Sequence, residues 1–118
     1  MIVLAIGALT ALTGAVQLVA PALILRAVGG ETTAGASHFF AIVGMFMILF
    51  GGLLWQGARP TPPLTIAIGW AALQKLGASA AVAVGVARHV FLPIALVIAS
   101  FDFASFIVIA WYWRRTGR

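Results

Sequence analysis

Four apolar runs separated by short breaks decide what this chain can fold into. They cover about residues 2–25, 38–57, 64–87 and 90–113. Each approaches the roughly 20 apolar residues that an α-helix needs to cross the hydrocarbon core of a bilayer. Backbone groups in lipid must find their hydrogen bonds inside the chain, so such runs are helical. The short breaks force neighbouring helices antiparallel. The expectation is an all-α, integral membrane four-helix up-down bundle, a single membrane domain over residues 1–118. Composition agrees, with 64% of residues hydrophobic and 8% charged, against about 25% charged in an ordinary soluble domain.

The first run has no basic residue ahead of it and leads into Pro21 instead of a cleavage site, so it reads as a retained span. Pro21 falls in its last turn, where a kink or early unwinding is expected. Small residues offer close-packing faces: Gly7, Ala11 and Ala15 in the first run, Gly44 and Gly52 in the second, Gly77, Ala81 and Gly85 in the third. Thr10 and Thr13 can bond back to their own helix. Gly29–Gly30 ends the first helix, and Ser37 is the expected cap of the second. The stretch Arg59-Pro60-Thr61-Pro62-Pro63 is a stiff link, and Arg88–His89 make a tight final turn.

The chain has only two acids, Glu31 and Asp102. Asp102 lies between Phe101 and Phe103, deep in the last run, and Lys75 lies at the centre of the run before it. Each is about eleven or twelve residues from the outer end of its run, roughly 17 Å at 1.5 Å per residue. Equal depth on adjacent antiparallel helices predicts contact. Helical spacing sets Asp102 and Ser105 on one stripe with Ile98 and Ile109, and Lys75 and Ser79 on one stripe with Ala71, Ala72 and Val82. A charge at that depth costs several kcal/mol, so it pairs, faces the interior or marks a working site. Three readings stay open: a static pair that fixes register, a proton relay or counter-charge for a ligand, or two residues that do not meet. Gln17 and Gln74 are the other polar groups at membrane depth, and Gln17 is placed to share a cavity with Lys75.

Arg26, Glu31, His38, Arg88 and His89 form an outer polar cluster. A Glu31/His38 pair there could pass protons or hold a metal, but no ligand spacing supports a metal site, and the plain reading is contact with water and headgroups. Arg59, Arg114, Arg115 and Arg118 fall on the opposite side from Arg26 and Arg88, which predicts both termini in the cytoplasm of an inner-membrane, multi-pass protein. Trp55, Trp111, Tyr112 and Trp113 form an aromatic belt at that level. The net charge of +5 is spread over segment ends, so the partner is membrane lipid and not nucleic acid.

Catalytic machinery is not legible. There is no Ser/His/Asp arrangement, phosphate-cradling loop or HExxH motif, Glu31 and Asp102 differ in depth, and cysteine is absent. Phe39, Phe40, Phe46, Phe50, Phe101, Phe103 and Phe106 would suit a flat apolar ligand such as a quinone, carotenoid or aromatic hydrocarbon.

The order Pro21, Gly29–Gly30–Glu31, Gly44, Gly51–Gly52, Trp70-Ala-Ala-Leu-Gln-Lys75-Leu-Gly and Asp102 resembles small four-helix membrane proteins of the DoxX-like kind, including BphX-like proteins encoded beside aromatic-degradation genes. The resemblance implies an accessory subunit of a bacterial membrane oxidoreductase and transfers no catalytic residue. Small four-helix multidrug transporters place a Glu in the first helix, where this chain has Gln17. The expected function is therefore an accessory or structural subunit of a larger membrane complex, associated with other membrane subunits or copies of itself. The alternative is a small transporter or proton-coupled channel-like protein using Lys75 and Asp102; a membrane enzyme such as an isomerase ranks behind both.

Overall fold

Five helices account for the chain in the computed structural model, which describes residues 2–116: α1 (Ile2–Val19), α2 (Pro21–Ala27), α3 (Ala34–Ala58), α4 (Thr65–Ala87) and α5 (Ala95–Thr116). Among the described residues there is no strand. Four helices, all but α2, are long and apolar enough to cross a membrane. The longest dimension is 45 Å, close to the about 40–45 Å of a bilayer with its headgroups.

The first apolar run is not one helix. Pro21 lacks an N–H and crowds the residue before it, which moves Ala20 out of helical geometry (φ −132°, ψ 61°). The chain then restarts as α2 with Pro21 at its first position. The second span begins earlier than expected, because Thr33 and not Ser37 is its cap: Thr33 Oγ1 accepts from the Ala36 N–H at 3.2 Å. Ser37 lies inside the first turn, where its N–H donates to the Thr33 carbonyl at 2.9 Å. The last span begins later than expected. Leu92, Pro93 and Ile94 carbonyls accept from Ala95, Leu96 and Val97, a tighter lead-in that Pro93 tolerates, so the connection runs over residues 88–94 and is no two-residue turn.

The helices associate as two antiparallel pairs, α1 with α3 and α4 with α5; the pairs join mainly through α3 and α4. Lipid tails are as apolar as leucine, so closeness of packing and not escape from water drives this assembly. On α1 the buried residues Val3, Gly7, Thr10, Gly14 and Gln17 alternate in steps of four and three. On α3, Gly44, Gly51, Leu54 and Ala58 continue the same heptad pattern. A Cβ on Gly7 would lie 2.9 Å from the Gly51 carbonyl oxygen, and one on Gly14 would lie 2.6 Å from that of Gly44. The two glycine pairs sit one heptad apart, so the backbones touch twice along the seam. The face expected from four-residue spacing is therefore corrected: Gly52 and Gly77 have open space beyond them, and Ala81 is exposed.

At the end carrying Ile2 and Thr116, Val3, Ile6, Leu54, Ala58, Ile68, Ala71, Ala72 and Ile109 form the apolar core. All four long helices contribute to it. Ile68 and Ile109 are fully buried there, so this half of the bundle is solid.

The opposite end is closed by two matching helix ends. After α2, Gly30 N–H donates to Leu25 O at 2.8 Å and Gly29 N–H to Arg26 O at 3.2 Å, with Gly29 at φ +79°. After α4, Val90 N–H donates to Gly85 O at 2.8 Å and His89 N–H to Val86 O at 3.0 Å, with His89 at φ 60°. Both are Schellman turns, which need a left-handed residue after the cap. The Leu92 N–H donates to the Val28 carbonyl at 2.7 Å and ties the two turns together. Leu92 packs on Gly29, and Phe91 covers Gly30 and Gly85.

Candidate functional site

Between the solid core and this closure the two helix pairs stand apart, and Lys75 and Asp102 meet in the gap. Lys75 Nζ donates to Asp102 Oδ1 at 3.1 Å, with the residues 3% and 9% exposed. Lys75 lies about 18 Å along α4 from Ala87, whereas Asp102 lies about 10 Å along α5 from Ala95. The expected equal count of helical residues is thus corrected: α5 begins five residues later than expected, after the turns of residues 88–94. The pair is the one ion pair among the described residues. Lys75 Nζ also stands 5.5 Å from the centre of the Phe101 ring, within reach of a cation–π attraction.

Two cavities border the pair. One, of about 470 Å³, opens between α1 and α5, where Leu9, Val16, Ile98 and Phe101 form its rim and Gln17, Lys75 and Asp102 its polar wall. The other, of about 200 Å³, lies toward α3 and α4 and is lined by Phe40, Val43, Gln74, Ala78 and Phe91 among others. Gln17, Ile24, Met47, Lys75, Ile98 and Asp102 line both. Rim residues Val16, Val97 and Phe101 are exposed at 50%, 69% and 41%, so the larger cavity opens sideways, toward the surface that the four spans present to lipid. Apolar walls with a few converging polar groups are the usual make-up of a small-molecule site.

The structure joins some of the expected site residues and separates others. Gln17 is buried and its Nε2 donates to the Phe40 carbonyl at 3.0 Å, which fixes its side chain against the cavity wall. Gln74 lines the smaller cavity. Ser79 is buried but turned back on its own helix, donating to Leu76 O at 3.0 Å, and it borders a different groove, beside Phe103. Ser105 is buried and lines neither cavity. Ile98, expected on the buried stripe, is 42% exposed, and Ala99 takes the buried position. Phe103 borders the groove that Ser79 lines, its ring 6.0 Å from that of Phe106.

Arg26, Glu31, His38, Arg88 and His89, the expected outer polar group, lie on the helix ends and connections. All five are exposed, and none takes part in an ion pair among the described residues. Among the described residues, no three of His, Cys, Asp and Glu come close enough to hold a metal. His89 is held by its turn, and His38 stacks edge-on against Phe39 at 6.2 Å.

Thr10 was missed as a special position. Unlike Thr13, whose hydroxyl donates to Leu9 O and Thr10 O at 3.0 Å, the Thr10 hydroxyl is buried without a partner. Its place in the heptad between Gly7 and Gly14 is the signal that could have found it.

Compared with protein-family models, curated proteins and solved structures, the chain matches none.

Proposed function

We propose that the chain is a small multi-pass accessory subunit of a larger membrane assembly, and that it holds an apolar ligand with a polar head, of quinone or lipid type, against Lys75 and Asp102. The observation that carries this reading is the buried pair on the wall of a cavity of about 470 Å³ that opens sideways. A ligand dissolved in the bilayer can enter there without crossing water. The Ile68–Ile109 core blocks the other half of the bundle, which favours holding a ligand over conducting one. The DoxX-like order of residues around Trp70–Gly77 and Asp102 points the same way. So do the open faces at Gly52 and Gly77, which leave room for another helix. The balance of Arg59, Arg114 and Arg115 against Arg26 and Arg88 orients the core end toward the cytoplasm of an inner membrane; Arg118 lies outside the described residues.

The test is isolation in native lipid nanodiscs, followed by mass spectrometry of bound chains and small molecules. Other membrane subunits at fixed stoichiometry, and a ligand lost when Met47→Trp fills the cavity, are the expected result. A chain that runs alone or only with its own copies, carrying lipid in bulk proportions, would refute the reading.

A second reading, a small transporter or proton-coupled protein, draws on the pair's position between two cavities. If Asp102→Asn leaves every proton and solute flux in liposomes unchanged, that reading ends.

A further inference from the structure

A second apolar groove lies at the other end of the bundle, remote from the Lys75–Asp102 pair. It has a volume of about 420 Å³ and runs between α4 and α5, with Ile66, Trp70, Leu73 and Phe106 along it and Trp113 and Arg114 at its end. Gly69 makes this end of the groove: a Cβ there would lie 3.2 Å from Trp113 Nε1. Arg114 also lines an adjoining surface hollow that shares Phe106 and Ala110 with the groove and adds Trp111 and Arg115. The Arg115 guanidinium stacks 5.0 Å from the centre of the Trp111 ring, which holds it beside Arg114.

These two cations have no carboxylate side chain of their own chain to meet. Asp102 is taken by Lys75, and Glu31 lies near the opposite end of the bundle. A hydrocarbon-lined groove that ends on Arg114, with Arg115 on the adjoining surface and neither in an ion pair among the described residues, at the depth where Trp70 and Trp113 would sit at a membrane interface, has the complementary form of a lipid with a negative headgroup. We infer that this groove binds one acidic phospholipid, its acyl chain along Ile66, Trp70, Leu73 and Phe106 and its phosphate between Arg114 and Arg115.

The experiment is native mass spectrometry of the detergent-purified full chain, titrated with phosphatidylglycerol, with phosphatidylcholine of the same acyl chains, and with inorganic phosphate. Each arginine near an anionic headgroup is worth about fivefold in affinity, hence about thirtyfold for the two together. One phosphatidylglycerol should bind about thirtyfold more tightly than phosphatidylcholine. Arg114→Gln with Arg115→Gln should erase that preference. Leu73→Trp, on an exposed rim that leaves the helix contacts intact, should weaken both lipids by filling the groove. Equal binding of the two lipids would overturn the inference, as would displacement of the acidic lipid by phosphate alone. Loss of preference in the arginine variant without any effect of Leu73→Trp would also overturn it, since binding would then be a diffuse surface charge effect.

Discussion

Gly14 and Gly44 touch backbone to backbone: a Cβ on either would lie within 2.7 Å of the other's carbonyl oxygen. Neither backbone can yield without parting α1 from α3. Gly14→Val should therefore destabilise the bundle by at least the about 1–3 kcal/mol of an overpacked core. Gly52→Ala, which meets open space, should be neutral or gain up to about 1 kcal/mol from helix propensity. Thermal unfolding in detergent separates the two; equal midpoints would show that the glycine seam does not hold the pair together.

The Lys75–Asp102 pair predicts a non-additive pattern. Removing one partner leaves a charge at membrane depth without its counter-ion, at a cost of roughly 3–5 kcal/mol. Lys75→Met and Asp102→Leu should each be severe, and the two together milder than either alone. A double-variant cycle in unfolding free energy reads this directly, and strict additivity would mean the two charges do not stabilise each other.

Thr10 predicts the opposite sign. Its hydroxyl is buried without a partner, and valine has nearly the same shape without that oxygen. Thr10→Val should stabilise the bundle by about 1 kcal/mol. A loss of stability would show that water or a bound group satisfies the hydroxyl.

The two Schellman turns should respond in opposite ways to opposite changes at their equivalent left-handed positions. His89 adopts φ 60°, a left-handed conformation that costs a side-chain-bearing residue roughly 1–2 kcal/mol, so His89→Gly should stabilise the closure. Gly29→Ala adds both that strain and a collision with Leu92, so it should loosen it. Hydrogen exchange at the Leu92 N–H, which donates to Val28 O, reports the change: slower in His89→Gly, faster in Gly29→Ala.

Four spans, their antiparallel order and the meeting of Lys75 with Asp102 were legible in the residues alone. The length of an apolar run is set by the bilayer, and the cost of a lone charge in lipid drives opposite charges together. Helix ends were less legible where they depend on single hydrogen bonds: Thr33 caps α3 in place of Ser37, whereas the break at Ala20 was expected from Pro21. What only the tertiary structure decided is which small residues touch and where space is left. Gly7, Gly14, Gly44 and Gly51 form the seam while Gly52 and Gly77 stay open, although all six are alike in sequence. The cavity beside Lys75 and Asp102 exists because the two helix pairs close at the Ile68–Ile109 end and at the Val28–Leu92 tie but not between them. That gap belongs to the mutual placement of the two pairs, and no local pattern of residues carries it.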